Sequence, residues 1–290
     1  MSGLAVIDKP AGWTSHDVVA KARGVLGTRK IGHSGTLDPD ATGVLLLGVG
    51  AVTRLLRFLS PLPKTYTCEI VLGVETSTLD ASGDVTATHA MDVAPDDVRA
   101  AAATLTGDLL QVPPMVSAVQ VGGKRLHELA RQGIEVEREA RPVTVHRFSV
   151  TPTVDPLVYA AEVECSSGTY VRSLAADLGA ALGGGAHLRA LRRTAIGPFT
   201  VDGAAWPLED AVVRPPVDAV AHLPRLDVPR ERVAVGGVID GAGVDGGGPW
   251  AVVDGDELLA VYERKGSRVK PAVVVMHERS RDVSDVDPHR

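Results

Sequence analysis

The chain has 290 residues, of which 44% are hydrophobic and 3% aromatic, and its formal net charge is -6. This length and hydrophobic content can bury one large core and a second small one, which excludes a disordered chain. The negative charge gives no global support to a nucleic-acid partner, and so few aromatic residues argue against a surface that stacks successive bases of single-stranded RNA.

Membrane association and disulfide bonding are not expected either. The longest nearly apolar run, at 44–52, is too short to cross a bilayer, and the amino terminus lacks the regions of a signal peptide. We therefore expect a cytoplasmic protein. Cys68 and Cys165 lie in apolar, strand-like context without a Cys-x-x-Cys pair, which is typical of buried reduced thiols.

Hydrophobic patterning predicts strands and helices without a regular βαβ alternation, which is typical of an α+β domain around an antiparallel or mixed sheet. The first helix is well marked, because Thr14 and Asp17 can form a capping box and Gly27 can end the helix. Strands are predicted at 4–7, 44–49, 66–72, 143–150 and 157–165. Helices are predicted at 14–26, 52–59, 95–105, 124–131 and 170–182.

Two segments lack this regular patterning. Residues 114–142 combine Gly122 and Gly123, a short basic helix and a charge-mixed stretch, which is the profile of a mobile flap. Residues 207–229 are rich in Pro and Asp and are predicted to be a linker. Short apolar runs between Gly-rich turns then predict a small β domain, at 233–235, 250–253, 258–262 and 272–276. We therefore predict a large domain at 1–225, a small domain at 229–277 and a frayed tail at 278–290.

Charge is segregated along the chain. Residues 1–72 hold eight basic and five acidic residues, and residues 165–193 hold four basic and one acidic. Residues 73–108 hold one basic and seven acidic residues. The pattern indicates a positive side of the molecule and an acidic segment that faces away from a polyanion, although ordinary solvated faces would have the same composition.

The loop at 32–45 carries the clearest chemical signal. Asp38 precedes a proline, which biases its backbone to an extended conformation and presents its carboxylate. A calcium loop would end in a Glu ligand, a phosphate-binding loop would end in Gly-Lys-Ser/Thr, and a zinc site would place another His or Cys near His33. None of these patterns is present. An ordinary polar turn and a nucleophilic or acid-base carboxylate remain, and we predict no metal site.

The run Gly32-His33-Ser34-Gly35-Thr36-Leu37-Asp38-Pro39, followed by Ala41-Thr42-Gly43, resembles the catalytic motif of the TruB family of tRNA pseudouridine synthases. Departures from the family pattern occur at Asp40, Gln120 and His127, and none is the nucleophile position. The resemblance spans about residues 3 to 200 and includes further blocks in the family's order: Asp8-Lys9-Pro10 with Gly12 and Ser15, Lys64-Thr65-Tyr66, Pro113-Pro114-Met115 with Ser117-Ala118, Arg131-Gln132-Gly133-Ile134, Arg141-Pro142, Ser167-Gly168-Thr169-Tyr170-Val171-Arg172, and Gly185-Ala186-His187-Leu188 before Leu191-Arg192-Arg193.

The resemblance implies a pseudouridine synthase fold, a thumb-like insertion at about 114–142 and a carboxy-terminal PUA-like RNA-binding domain. It also implies isomerisation of the T-loop uridine at position 55 of tRNA to pseudouridine, after the base has been flipped out. Asp38 would be the nucleophile or the group that assists glycosidic cleavage. Arg172 would pair with Asp38 and keep it ionised, and Tyr66 would stack on the target base and handle a proton.

Further residues are assigned to RNA binding by the same resemblance. His33 would fill part of the stack that the flipped base leaves, and Tyr170 and Leu191 would line the uracil pocket. Candidates for phosphate contacts are Lys9, Lys64, Lys124, Arg125, Arg192 and Arg193. We predict no cofactor, no obligatory protein partner and a monomer.

Two other functions fit parts of the sequence. A non-catalytic RNA-binding or tRNA-folding module could keep this fold, but binding alone would not need an ionised carboxylate beside a polyanion, so the set of Asp38, Tyr66 and Arg172 argues against it. A guide-RNA-dependent pseudouridine synthase is disfavoured by the thumb-like segment and by the absence of long basic tails.

Overall fold

The computed structural model describes residues 1–117, 120–126, 129, 132–134 and 136–276. Its helices are α1 (Ser15–Val25), α2 (Leu56–Leu59), α3 (Pro95–Thr104), α4 (Val171–Ala181) and α5 (Arg230–Ala234), with short 3-10 helices at Gly50–Arg54, Val201–Gly203, Leu208–Asp210, Pro216–Val220 and Gly241–Gly243. Its strands are β1 (Gly3–Lys9), β2 (Ile31–His33), β3 (Thr42–Val49), β4 (Lys64–Leu72), β5 (Val74–Thr76), β6 (Val85–Thr88), β7 (Gly107–Gln111), β8 (Gln120–Val121), β9 (Lys124–Arg125), β10 (Arg141–Pro152), β11 (Val158–Cys165), β12 (Ala186–Ile196), β13 (Phe199–Thr200), β14 (Ile239–Asp240), β15 (Trp250–Asp254), β16 (Glu257–Lys265) and β17 (Arg268–Val274).

A nine-stranded mixed sheet forms the body of the molecule, and its main path runs in the order β1-β3-β12-β4-β11-β10-β7. All the pairs on this path are antiparallel except β12 with β3, which is parallel. The mixed sheet confirms the predicted α+β class. Strand β12 was not predicted, although it pairs with both β3 and β4 near the middle of the sheet.

Helices α1 and α4 lie on the same face of this sheet, as the register of β3, β12 and β4 shows. There α1 packs Val18 and Ala22 with Leu45, and its predicted capping box between Thr14 and Asp17 is present. Further along this face α4 packs Leu174 with residues of β4 and β11. The burial of these apolar stripes fixes the first residue of α4 at one edge of the central strands.

The predicted helix at 52–59 is split between a 3-10 helix at Gly50–Arg54 and the single turn of α2. The prediction that 124–131 is one helix is wrong at its start, because β9 pairs with β8 in a hairpin around Gly122 and Gly123. Both glycines have positive φ, 58° and 82°, which favours a tight turn. Leu126 and Leu129 are helical and buried, and the other residues of that predicted helix, His127 among them, lie outside the described residues.

A second, antiparallel sheet in the order β14-β17-β16-β15 follows at the carboxy-terminal end. It confirms the three longer predicted strands of this region, but the predicted strand at 233–235 is wrong, because most of it belongs to α5. Ala251 and Val261 of this sheet pack in one apolar cluster with Leu4 and Val6 of β1. The two sheets therefore share a core.

The segment at 207–229 is not the free linker that its composition indicates. Leu208 and Val220 are buried, and Leu4 and Arg214 exchange backbone hydrogen bonds of 3.0 and 2.8 Å. The segment lies against β1 and fills the space between the two sheets. The predicted tail at 278–290 is outside the described residues. Among the helices that are described, none is long and apolar enough to span a membrane.

Candidate active site

The loop that carries Asp38 connects β2 to β3 and is fastened on both sides. The Ser15 hydroxyl at the start of α1 accepts a hydrogen bond from the Leu37 N–H at 2.9 Å. On the far side of Asp38, the Pro39 carbonyl accepts from the Gly12 N–H at 3.0 Å. Leu37 itself is buried in the core below α4. These contacts leave the Asp38 carboxylate at the surface of the core, where it faces the first turn of α4.

Arg172, in that first turn, is the ion-pair partner of Asp38. One guanidinium nitrogen lies 3.1 Å from the Asp38 carboxylate and a second lies 3.5 Å from Asp80. The guanidinium also donates to the carbonyls of Thr78 at 2.9 Å and Val116 at 2.8 Å. With a side chain that is 5% exposed, Arg172 is fixed in one orientation, and its charge acts in a poorly solvated environment.

Burial and neighbouring charges oppose each other at Asp38. Burial is the largest influence and raises the pKa of the Asp38 carboxyl, and the Arg172 guanidinium is the largest opposing influence. Asp80 and Asp40 raise the Asp38 pKa further because they are like charges. Arg172 is thus the main group that favours an ionised Asp38.

Tyr66 lies on β4 and is 8% exposed. Burial raises the pKa of its hydroxyl, and the nearby Arg193 guanidinium opposes that shift. The phenol therefore stays protonated at neutral pH. In the register of the sheet Tyr66 is opposite Arg193 of β12, so the two central strands hold this side chain beside the Asp38 loop.

Two adjoining cavities meet at Asp38 and Arg172. The first has a volume of about 300 Å³ and is also lined by Tyr66, Tyr170 and Leu191, which brings the predicted uracil-pocket residues together. The second has a volume of about 620 Å³. Both lie within or near the size range of small-molecule sites. The second cavity shares Thr36, Asp38, Ser117, Arg172 and Leu191 with the first and continues along Thr14, His16, Pro39, Asp40, Ala41, Asp80, Ala81, Ser82, Val116, Leu188, Arg189 and Ala190.

Two predicted phosphate ligands are buried and hold the backbone. Lys9 is fully buried and donates to the carbonyls of Pro10, Trp13 and Pro39 at 2.9, 2.6 and 2.9 Å. An ammonium has three N–H donors, so none remains for a phosphate. Burial lowers the pKa of Lys9 to about 8. The prediction for Lys9 is therefore wrong.

Arg193 is the second of these buried cations, with 2% of its surface exposed. It donates to the carbonyls of Val44 at 2.8 Å, Gly35 at 3.2 Å and Thr36 at 3.4 Å. These bonds show that Arg193 supports the Asp38 loop from below. Arg193 is also among the residues that line the smaller cavity, and its predicted contact with a phosphate stays a prediction.

The remaining predicted cations have different environments. Lys64 lines the smaller cavity and donates to the carbonyls of Ser60 and Leu62, and burial lowers its pKa to about 8. Arg192 is partly exposed and forms a two-point pair with Asp8 at 2.7 and 2.9 Å. Lys124 and Arg125 are the two residues of β9, and their side chains are outside the described part of the chain. Their contacts with RNA stay predictions.

His33 ends β2 and is not among the described residues that line either cavity. Its ring contacts that of His16 edge to face, with 5.4 Å between centroids. Burial lowers the pKa of His33, and His16 lowers it further. His16 lines the larger cavity, so the pair stands beside the site, and the role predicted for His33 stays a prediction.

Asp80 is a site residue that the sequence does not indicate, because its acidic segment is predicted to face away from a polyanion. Its carboxylate accepts hydrogen bonds from the hydroxyls of Thr78 and Ser82 at 2.6 and 2.5 Å, and it lines the larger cavity. Acidic composition alone does not distinguish such a residue from its solvated neighbours. Within the described residues, no group of three or more His, Cys, Asp or Glu side chains could hold a metal ion.

Two family models match adjoining parts of the chain. Residues 23–171 match the TruB family pseudouridylate synthase (N terminal domain), and residues 172–213 match the tRNA pseudouridylate synthase B C-terminal domain. This chain belongs to the TruB family. The family boundary between 171 and 172 falls within the first turn of α4, at the ion-pair partner of Asp38.

Similar proteins extend this TruB relationship over nearly the whole chain. The tRNA pseudouridine synthase B of Nocardia farcinica is 46% identical over 95% of this chain and 94% of its own length. That of Thermobifida fusca is 47% identical, with 94% and 98% covered. The archaeal box H/ACA sRNP Nop10-Cbf5 complex contains a chain of similar structure, 27% identical, with a TM-score of 0.71 over 94% of this chain and 86% of the other. The central sheet therefore has the pseudouridine synthase fold.

Proposed function

We propose that this chain converts uridine 55 in the T loop of tRNA to pseudouridine and that Asp38 carries the chemistry. The observation that supports this most strongly is the Asp38–Arg172 pair at 3.1 Å, on the wall of a cavity that also contains Tyr66, Tyr170 and Leu191. Membership of the TruB family supports both the reaction and the choice of tRNA as substrate. The enzyme is an isomerase.

The reaction breaks the carbon–nitrogen glycosidic bond of uridine, turns the base and joins it to the sugar through carbon. It has no net redox change, so we propose that no organic cofactor takes part. The Asp38 loop matches none of the ligand spacings of calcium or zinc sites, so we propose that no metal ion takes part either. The reaction requires an ionised carboxylate at the sugar or base, and Arg172 supplies the opposite charge that favours this form of Asp38. Asp38 then acts as a nucleophile or assists cleavage and deprotonation of the sugar.

The detached uracil has to stay in the site while it turns. A cavity of about 300 Å³ bounded by Tyr66, Tyr170 and Leu191 can retain one base between aromatic and aliphatic walls. Tyr66 lines this cavity together with Asp38, and its hydroxyl is protonated at neutral pH because burial raises its pKa. Because a base in a folded loop is stacked, it reaches this cavity only by flipping out, at a cost of a few kcal/mol.

We propose that the enzyme works as a monomer, without a guide RNA or protein partner, on the T-arm stem-loop, and in the cytoplasm, where its tRNA substrate is. The relatives named tRNA pseudouridine synthase B support this over a guide-dependent enzyme. The thumb-like insertion at 114–142 would close on the stem-loop, and the carboxy-terminal sheet would act as a PUA-like RNA-binding domain.

Tritium release from C5-labelled uridine tests the proposal. Purified protein alone is mixed with a T-arm hairpin labelled at uridine, and a hairpin with cytidine at position 55 and the label at its other uridines serves as the control. We expect release from the first RNA and none from the second. Tight binding without release would favour the non-catalytic module, and release that requires an added guide RNA or protein would favour the guide-dependent enzyme.

A further inference from the structure

Gln111 is buried at the end of β7, 4% exposed, and is not among the described residues that line the cavities. Its side chain forms two hydrogen bonds with the backbone of Tyr170. The carboxamide oxygen accepts from the Tyr170 N–H at 2.7 Å, and the carboxamide nitrogen donates to the Tyr170 carbonyl at 3.1 Å. A carboxamide can supply one donor and one acceptor at this spacing, so Gln111 pairs with Tyr170 as a neighbouring strand would.

Tyr170 occupies the position before α4, where the side chain of the residue itself makes no capping hydrogen bond. Its carbonyl also accepts the first helical hydrogen bond, from the Leu174 N–H at 3.2 Å. The Gln111 carboxamide thus accepts from the Tyr170 N–H, and it shares the Tyr170 carbonyl with the Leu174 N–H, at the point where the chain enters the helix. Two residues later the helix presents Arg172 to Asp38.

The chain that follows Gln111 makes two more contacts with the same helix start. The Ser173 hydroxyl donates to the Val112 carbonyl at 3.4 Å, and Arg172 donates to the Val116 carbonyl at 2.8 Å. Residues 111–116 therefore run alongside the first turn of α4, and the last three of them begin the thumb-like insertion. Within this series, Gln111 is the side chain that makes two hydrogen bonds to the backbone of one residue.

We propose that Gln111 is a positioning residue for the Asp38–Arg172 pair. It fixes the backbone of Tyr170. This places the Tyr170 side chain in the cavity wall and sets the backbone position from which the Arg172 side chain extends. This inference rests on the proposed function. Because misplacement by about 1 Å can cost about a hundredfold in rate, loss of the Gln111 contact should lower turnover on bound RNA rather than RNA affinity.

The test compares Gln111→Glu with Gln111→Met. Glu keeps the shape of Gln and the acceptor for the Tyr170 N–H. Its second carboxylate oxygen replaces the NH2 donor and repels the oxygen of the Tyr170 carbonyl. In its protonated form the same side chain offers a donor and an acceptor again. Burial beside a carbonyl raises the pKa of this carboxyl, so protonation is within reach at mildly acidic pH. Met has similar length and cannot regain either hydrogen bond.

Single-turnover rates on saturating T-arm RNA are measured for each protein between pH 5.5 and 8 and divided by the wild-type rate at the same pH. For Gln111→Glu we expect a rate about a hundredfold below wild type at pH 8 and a ratio that recovers by at least about tenfold at pH 5.5. Gln111→Met should be slow at every pH. RNA affinity should stay within about threefold for both variants.

Leu110→Glu is the matched control, because it adds the same charge one residue away on a side chain that is 75% exposed. It should have wild-type turnover. An inactive wild-type enzyme would refute the proposed function, whereas an active wild type with an equally active Gln111→Glu would refute the role of Gln111 alone. A folded Gln111→Met with a rate within threefold of wild type would do the same. If circular dichroism shows both variants unfolded, the contact is a scaffold contact and the positioning role is rejected.

Discussion

Buried cations hold the backbone around Asp38, whereas apolar side chains hold the carboxy-terminal sheet. Below the Asp38 loop, Lys9 and Arg193 donate to six backbone carbonyls. In the carboxy-terminal sheet, Ala251 and Val261 pack with the apolar residues of β1. Polar links from this sheet to the rest of the molecule, such as Glu263 with Arg57 of α2 at 2.6 Å, are at the surface.

The difference agrees with the proposed roles of the two regions. Burying a charge is costly unless it is well satisfied, and hydrogen bonds to fixed carbonyls hold a loop more directionally than apolar contacts do. The Asp38 loop therefore gains a defined geometry, as its proposed catalytic role requires. The carboxy-terminal sheet is joined to the large sheet by a shared apolar core. Apolar packing attaches it stably but does not fix the position of any single side chain.

The largest effect should come from Asp38→Asn. The amide keeps the shape and loses the charge, so turnover should fall by at least about a thousandfold, or roughly 4 kcal/mol of barrier, while folding and RNA affinity stay close to wild type. Single-turnover tritium release measures this. Asp202→Asn, at an exposed position, removes the same charge elsewhere and should be active. Activity of Asp38→Asn within tenfold of wild type would contradict the assignment.

The next effect should come from Arg172→Lys. Lysine keeps the charge but lacks the planar fork that reaches Asp38 and two carbonyls together, so turnover should fall by roughly a hundredfold. Because Arg172 opposes the raised pKa of Asp38, weaker pairing moves that pKa further up. The proposed mechanism requires ionised Asp38. The rate should therefore begin to fall at a higher pH in Arg172→Lys than in the wild type as the solution is acidified. A pH–rate profile identical to that of wild type would show that the pair is not functional.

A third prediction separates two neighbouring arginines by stability. Arg193→Met leaves buried carbonyls without donors and should lower the free energy of unfolding by about 2 to 4 kcal/mol. Arg192→Met removes a partly exposed pair with Asp8 and should cost about 1 kcal/mol or less. Urea denaturation measures both. Equal losses would mean that the loop does not depend on its buried cation.

The smallest effect should come from the carboxy-terminal sheet. From Glu231 onward the chain has eight Lys or Arg and eleven Asp or Glu, so this region is not the main electrostatic anchor for RNA. Reversing the charges of the exposed Arg268 and Lys270 together should weaken binding to full-length tRNA by less than about tenfold, or 1.4 kcal/mol. Turnover on a T-arm hairpin should stay within a few fold. A hundredfold loss of tRNA affinity at fixed salt would show that the carboxy-terminal sheet is the main electrostatic anchor for RNA.

Local patterns predicted much of the fold. Alternating or continuous apolar runs identified β1, β3, β4, β10 and β11, and the capping box identified α1. Strand β12 was missed because it mixes charged and apolar residues, contains Ala190 at a positive φ of 54°, and shifts register after Arg189 and Arg193. These irregularities break the alternation that a strand shows in sequence.

The sequence predicted the site residues that belong to family motifs, but not those whose partners are backbone groups. Asp38, Tyr66, Arg172, Tyr170 and Leu191 meet at one cavity, as the family resemblance implied. Lys9 was assigned to phosphate because a sequence shows charged side chains but not the carbonyls that surround them. The same reason hides Gln111, whose partner is the backbone of Tyr170.

The most direct test of the account is to map pseudouridine in full-length tRNA after incubation with the purified protein alone. Carbodiimide modification followed by reverse transcription gives a stop at each pseudouridine. We predict one new stop, at position 55, with the wild-type enzyme and with Asp202→Asn, and none with Asp38→Asn. A stop at another position, or an equal stop with Asp38→Asn, would contradict the claim that Asp38 isomerises the T-loop uridine.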